Sequence, residues 1–481
     1  MTPLTAWLPA RSNQDFDLAI NIVGPGGLVP LKAWSPIGQF LIDRGLTVMA
    51  QSGRLNGDTD DFVLRLRIGT RPFHSMGHGC DVLVYLGDIV PEFCRFNLQP
   101  GSVLLWEPPR EPERYPILPE GVIAYPIPLT ELGGQRMEGL QSKAIVALGV
   151  LFELLGVPEE SLPRFSGSIP ASRSFAAGWD FARRALNKHD VYSLPFLSTE
   201  EKYGRILLTL EQAIILGYAV STCECRTACD KELVASPIQW TAKHLGIGGE
   251  MVSVLESNNH PGVQAYRGEQ GKVIALLRAD ESAIASCLND FKAPRVFVAA
   301  DIPDTLNLVI AGHDLIRNRQ SDGVGVLIGD TLAHRHQSVD IAALSNTIRR
   351  ANLPVLNTTR PFKREEPVET SERDGDALAD VGFVAWGVAQ GVVRDAVVLC
   401  RSFGLRVAGL YPKQIVPFSN EDIESFARTV GRVVLVESGQ TQTYWDRLHT
   451  TFSFEPAVLT PQPHHALTPM DIFLREGLGA V

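Results

Sequence analysis

The chain has 481 residues, of which 45% are hydrophobic and 20% charged, with a formal net charge of −10. That acidity disfavours a nucleic-acid groove or docking on an anionic membrane, and the length predicts about three domains. No apolar run reaches the roughly 18 residues that a membrane-crossing helix needs. The opening MTPLTAWLPARSNQDF lacks the basic-then-apolar pattern of a secretory leader. The expectation is a cytoplasmic protein whose seven cysteines stay reduced.

In chain order, LAINIV predicts a strand, followed by a glycine turn and the helix-like LKAWSPIGQFLIDRG. LTVMAQS, DFVLRLRIG, DVLVYLG and GSVLLWE predict further strands, and KAIVALGVLFELLG (143–156) a helix. SIPASRSFAAGWDFARRAL reads as a helical tail and 186–204 as a linker. The middle segment opens with LLTLEQAIILGYAV, which predicts a helix. VIALLRA, RVFVAAD, LNLVIAG and GVGVLIGD are strand candidates. The acid-rich 363–380 predicts a second linker. Beyond it VGFVAW, LRVAGLYP and RVVLVESG predict strands. They alternate with an amphipathic helix GVAQGVVRDAVVLCRSFG and a helix NEDIESFARTVG whose N-cap is expected at Asn420. Strands alternating with helices imply an α/β fold with parallel sheets and right-handed crossovers.

The turn Gly24-Pro25-Gly26-Gly27 poses the first functional question. A dinucleotide loop wants G-x-G-x-x-G and an acid ending the second strand. Here the third glycine position is Val29 and the second strand ends MAQSG, so a nicotinamide dinucleotide is not expected. The backbone N–H groups of such a turn still suit an anion.

The last segment, VAWGVAQGVVRDAVVLCRSFGLRVAGLYPKQIVPFSNEDIESFARTVGRVVLVESG, resembles the transketolase C-terminal-like domain of the 2-oxoacid:ferredoxin oxidoreductase family. Gly387, Pro412, Pro417-Phe418 and Glu437 carry the likeness. The first segment resembles the gamma domain of the same family, through IVGPGGLVPLKAWSPIGQFLIDRG, MAQSGRLNGDTDDFVLRLRIG, DVLVYLG and LQPGSVLLWE. It departs from the family in the polar loop, where LNGDTDD replaces paired glycines. Gamma-like first and transketolase-C-like last is the order of a fused gamma–alpha subunit. The resemblance therefore implies three α/β domains: a gamma-type domain over 1–185, a divergent and shortened pyrimidine-type thiamine diphosphate domain over 205–362, and a transketolase C-terminal-like domain over 381–481.

The middle domain is where this chain departs most. The closest counterpart of the family's Y-P-I-T-P stretch is ASPIQWTAKHL (235–245), followed by GGEMVSVLESNNHPGV (248–263). Thiamine chemistry needs a carboxylate that shares a proton with the pyrimidine ring. The positions nearest the family's glutamate read Asn258, Asn259 and His260, and Glu256 comes slightly early. Either Glu256 has taken over that role, with His260 as its catalytic companion and Asn258 near the cofactor, or this domain no longer activates thiamine in the usual way. GVLIGD, ending at Asp330, with Asn357 further on, is similar to the magnesium–diphosphate motif of thiamine enzymes. The plainer reading is a strand-end turn and a loop. The family carries that motif on its beta subunit.

Two further clusters are weighed against simpler readings. Cys223, Cys225 and Cys229 have C-x-C-x3-C spacing, unlike the C-x2-C-x2-C run of a cubane cluster, and read as ordinary thiols. His74, His78 and Cys80 are zinc-type ligands without a second pair at finger spacing, so they read as a surface loop and no metal site is assigned.

Taken with the resemblance, the expectation is a subunit of a thiamine diphosphate-dependent 2-oxoacid:ferredoxin oxidoreductase. Glu256 and His260 are the catalytic candidates, and Gly24, Gly26, Gly27, Asn258, Asp330 and Asn357 the cofactor-binding candidates. The resemblance implies a hetero-oligomer with a beta subunit that shares the thiamine diphosphate and its magnesium and carries the iron–sulfur cluster. It further implies ferredoxin as acceptor and a contact for coenzyme A or substrate at the glycine turn. The rival reading is a catalytically degenerate scaffold or regulatory subunit of such a complex.

Overall fold

The computed structural model describes residues lying within 16–25, 37–54, 61–90, 98–133, 139–158, 169–195, 205–217, 255–256, 263–267, 273–279, 295–317, 323–340, 370–437, 454–461 and 466–477. The chain divides into two compact units, Met1–Leu207 and Leu208–Val481.

The first unit is built on β1 (Asp17–Pro25), β2 (Thr47–Arg54), β3 (Asp61–Gly69), β4 (Cys80–Tyr85), β5 (Leu98–Trp106) and β6 (Ile123–Pro126), in spatial order β6-β5-β4-β1-β3-β2. β1, β4, β5 and β6 run parallel, and β3 lies antiparallel to both β1 and β2. Alternation sorts the faces. Leu18, Ile20 and Ile22 turn toward a helical layer, while Val23 joins Leu83, Tyr85 and Trp106 on the other side. The helical layer comprises α1 (Leu129–Gly133), α2 (Gly139–Leu154) and α3 (Ile169–Ala185). α2 and α3 touch through glycine: a methyl group on Gly178 would lie 2.0 Å from the Val146 carbonyl oxygen, and one on Gly149 2.2 Å from that of Phe175. The expected linker after α3 begins as packed structure. Lys188 Nζ donates to the Leu154 carbonyl at 2.7 Å, Tyr125 donates to Asp190 at 2.9 Å, and Leu194 is buried.

β7 (Arg205–Thr209) takes the place of the helix expected at the opening of the middle segment; the helix begins only at Leu210. In the second unit β8 (Leu255–Glu256), β9 (Val263–Arg267), β10 (Val273–Ala279), β11 (Arg295–Ala299) and β12 (Gly323–Gly329) follow, with α4 (Ile302–Arg317) between the last two. LNLVIAG, expected as a strand, lies inside α4. Asp301 caps that helix by accepting the Asp304 N–H at 2.8 Å, and its valine and isoleucine are buried against the sheet. A buried helix is apolar around much of its circumference and so imitates a buried strand. β13 (Arg335–Asp340) comes next.

The final sheet contains β14 (Ser371–Gly375), β15 (Ala379–Ala385), β16 (Val407–Pro412), β18 (Val430–Val436) and β19 (Ala457–Leu459), in order β14-β16-β15-β18-β19. β17 (Gln414–Val416) leaves it and pairs antiparallel with β11, so the middle sheet reads β17-β11-β12-β10-β9-β8. The expected linker 363–380 is thus corrected: its second half holds β14, an edge strand antiparallel to β16. α5 (Ala389–Ser402) covers one face with Val393, Ala396 and Val397. α6 (Asn420–Ala427) covers the other with Ile423 and Phe426, and the short α7 (Pro469–Ile472) joins the first face. The N-cap of α6 is Ser419, whose hydroxyl accepts the Asp422 N–H; Asn420 is the first helical residue. Among the described residues no helix is long and apolar enough to cross a membrane.

Cys400 on α5 is fully buried, and burial pushes its thiol up to about 11. We expect it to resist iodoacetamide in the native protein at pH 8 and to react once the unit unfolds, as mass spectrometry of the 389–401 peptide will report. Native labelling would contradict this packing.

Candidate functional site

Gly24 is buried at the carboxyl end of β1, opposite Phe62. The Leu86 N–H, just past β4, donates to the Val23 carbonyl at 2.8 Å. Chain order reverses here, because β1 leads on to β2 on one side and β4 to β5 on the other. Open α/β sheets bind ligands outside the carboxyl ends at such a switch point. Acids stand at this edge, and Asp61 lies opposite Pro25. Glu107, directly after β5, accepts from the Thr130 N–H and hydroxyl at 2.7 Å each and from Lys143 Nζ at 2.8 Å. Burial works against its charge, but Lys143 and Thr130 outweigh it and hold the carboxyl below its usual range. It is a structural anion and no proton donor near neutrality.

His74, His78 and Cys80 form no metal group. Cys80 is buried in β4 and its thiol donates to the Val82 carbonyl at 3.2 Å. Among the described residues no group of three or more His, Cys, Asp or Glu could hold a metal ion. Of the residues assigned to thiamine diphosphate, Glu256 ends β8, opposite Gln264. His260, Asn258, Asp330, Asn357, Gly26 and Gly27 lie outside the described residues, as do Cys223, Cys225 and Cys229.

The second unit contains a constellation that sequence reasoning passed over. The chain leaves β16 at Pro412 and enters β17 at Gln414, so Lys413 sits where one sheet hands the backbone to the other. Its N–H donates to the Thr370 carbonyl and its carbonyl accepts the Val298 N–H, both at 2.8 Å. Its ammonium lies 3.2 Å from Asp304 in the first turn of α4 and pairs with Glu372 on β14. Arg394 of α5 binds the same Glu372 and lies 3.5 Å from Asp374, which accepts the Tyr411 hydroxyl at 2.8 Å. Asp304 also accepts the Ala300 N–H at 3.0 Å. Burial raises the Asp304 carboxyl above its ordinary value, with Lys413 opposing and Asp301 adding to the shift. Burial pulls the Lys413 ammonium down, but Asp304 and Glu372 more than offset it and leave it above its usual value. Lys413 and Arg394 therefore share the carboxylates of Asp304, Glu372 and Asp374 inside the unit. A buried group so fully engaged fixes geometry and does not turn over protons.

At the carboxyl ends of β15 and β18, the switch point of the last sheet, stand Trp386, Gly387 and the buried Glu437. Gly387 adopts φ 55°, and a methyl group there would come 3.2 Å from Val298 on β11. Gln390 is buried beside it and donates to the Pro412 carbonyl at 3.3 Å. This edge is lined by the strand that the Lys413 crossing anchors.

No protein-family model and no curated protein matches the chain. Among solved structures, a 2-oxoglutarate:ferredoxin oxidoreductase from Magnetococcus marinus, with 2-oxoglutarate, coenzyme A and succinyl-CoA bound, is similar over 97% of this chain and 100% of its own. The identity is 18% and the TM-score 0.75. The gamma subunit of a keto/oxoacid ferredoxin oxidoreductase from Geobacter sulfurreducens covers 35% of this chain and 98% of its own, at 19% identity and TM-score 0.27. A pyruvate oxidoreductase subunit from Thermotoga maritima covers 35% and 96%, at 17% identity and TM-score 0.28. The chain thus has the α/β fold of the Magnetococcus oxidoreductase chain over nearly its whole length.

Proposed function

We propose that this chain is the gamma–alpha subunit of a thiamine diphosphate-dependent 2-oxoacid:ferredoxin oxidoreductase, which oxidatively decarboxylates a 2-oxoacid and passes the electrons to ferredoxin. The observation that carries the reading is the agreement of fold over 97% of this chain and 100% of the Magnetococcus chain. The sequence resemblance of the two ends to the gamma-type and transketolase C-terminal-like domains supports it independently. In this reading a beta subunit supplies the diphosphate-binding domain, the magnesium and the iron–sulfur cluster. Thiamine diphosphate, when bound, supplies the carbanion chemistry of decarboxylation. In this reading Glu256 and His260 are the catalytic residues that serve the pyrimidine, and Asn258 is a cofactor-binding residue. Asp330 and Asn357 are the candidate contacts to the magnesium–diphosphate, a motif that the family carries on its beta subunit. Gly24, Gly26 and Gly27 meet coenzyme A or the 2-oxoacid at the carboxyl edge of the first sheet, where backbone N–H groups suit an anion.

The test is co-purification. The tagged chain should bring down a stoichiometric partner with ferredoxin-type cysteines, and the eluate should reduce a viologen dye when given a 2-oxoacid. Glu256→Gln should abolish that reduction while the complex still assembles. A chain that elutes alone, without cofactor, or a complex indifferent to every 2-oxoacid would overturn the catalytic reading in favour of a degenerate scaffold or regulatory subunit.

A further inference from the structure

A pocket of about 500 Å³ opens between the end of α6 and the starts of β18 and β19. Small-molecule sites run to roughly 300–1,000 Å³. Its floor is apolar: Ala427, Val430, Val433 and Phe454 belong to, or pack against, the core beneath α6. Its rim carries Glu424, Arg428 and Arg432. Arg432 is committed, donating to the Glu476 carboxylate at 2.5 Å and to the Glu476 carbonyl at 3.0 Å.

Arg428 and Glu424 are a different kind of pair. They stand one turn apart on α6 with 3.9 Å between guanidinium and carboxylate, and the Arg428 side chain is 79% exposed. An exposed pair this long is worth little, so parting it costs little. The pocket therefore offers one cation and one anion, set apart above an apolar floor. A simple organic anion would meet Glu424 as a like charge, and an organic cation would meet Arg428. A zwitterion satisfies both, replacing one long ion pair with two short charge-assisted hydrogen bonds.

We propose that this pocket binds an apolar α-amino acid. The α-carboxylate lies on the Arg428 guanidinium, whose planar fork suits it. The α-ammonium lies on Glu424, and the side chain rests on Val430, Val433 and Phe454. Gly431 forms part of the wall and leaves no room for a side chain of its own, since a methyl group there would sit 2.8 Å from the Asp380 carbonyl. The site is independent of the oxidoreductase reading and stands or falls separately from it.

The experiment titrates the full chain calorimetrically with L-phenylalanine, 3-phenylpropionate and 2-phenylethylamine. L-Phenylalanine should bind saturably, and each probe lacking one charge about tenfold more weakly or worse, the loss expected for one charge-assisted hydrogen bond. Arg428→Gln should weaken L-phenylalanine about tenfold and erase its advantage over 2-phenylethylamine. Glu424→Gln should do the same against 3-phenylpropionate. Arg401→Gln on α5, the helix that covers the opposite face of the sheet, removes a half-exposed partner of Asp376 and should change nothing. No saturable binding, equal binding of the three probes, or retention of selectivity in both rim variants would overturn the proposal. Unchanged circular dichroism in the variants excludes unfolding as the cause of a loss.

Discussion

Replacing Lys413 with methionine will destabilise the second unit by about 3–5 kcal/mol, the cost of removing one partner from a buried ion pair. Methionine keeps most of the apolar stem, so the loss is that of the charge. Asp304 is left with Asp301 nearby and without its cation. The linkage has a definite sign. A carboxyl whose folded pKa lies above its unfolded value binds its proton more tightly in the native state. The variant therefore regains stability as pH falls through the raised folded value toward the ordinary 3.8. Its deficit against the natural chain should narrow as pH falls from neutrality into that range. Lys413→Met with Asp304→Asn should cost less than the sum of the two single changes. Hydrogen exchange in β11 and β17 reports the loss locally, which matters because a chain of two units need not unfold in one step. A change near the level of a surface pair, below about 1 kcal/mol, would show that the crossing is held by its backbone alone.

The same crossing shows what could be read from the sequence and what could not. β1, β3 and α5 announce themselves because their periodicity is local. LAINIV buries alternate residues, and GVVRDAVVLCRS repeats its apolar positions at helical spacing. β14 carries no such signal. SERDG reads as a solvated acid run, and it becomes a strand only because β16 pairs with it and because Lys413 and Arg394 stand opposite its acids. The candidate sites divide in the same way. The glycine run after LAINIV reads as a turn in the sequence; Gly24 and Pro25 are the last two residues of β1, at the switch point of its sheet, and Gly26 and Gly27 lie outside the described residues. The seam of Lys413, Asp304, Glu372 and Arg394 draws on α4, β14, α5 and the step after β16, so no window of sequence contains it. The one local clue was a lysine set between the apolar strands GLYP and QIVPF, where a charge needs a buried partner.

The contact between α2 and α3 supplies the other large effect. Gly178→Ala will destabilise the first unit at or beyond the upper end of the about 1–3 kcal/mol typical of overpacking. In the middle of a helix the exchange would ordinarily stabilise, by roughly 0.5–1 kcal/mol. Here the added methyl would lie 2.0 Å from the Val146 carbonyl oxygen, and its other nearest neighbours are backbone atoms of the same residue. Backbone cannot swing aside as the end of a side chain can, so the helices must part. Parting them loosens Phe152, Phe175 and Trp179, which are buried and in ring contact along the seam. Gly149→Ala meets the Phe175 carbonyl at 2.2 Å from the facing helix and should behave alike. Because both changes force the same separation, the double variant should lose less than the two losses added. Gly53→Ala on β2 has nothing within 4 Å and should leave stability within about 0.5 kcal/mol. Thermal and urea unfolding of the three single variants decide the matter. A Gly178→Ala protein as stable as the natural chain would mean that the helices do not meet at this distance, and the helical layer over the first sheet would have to be packed in another way.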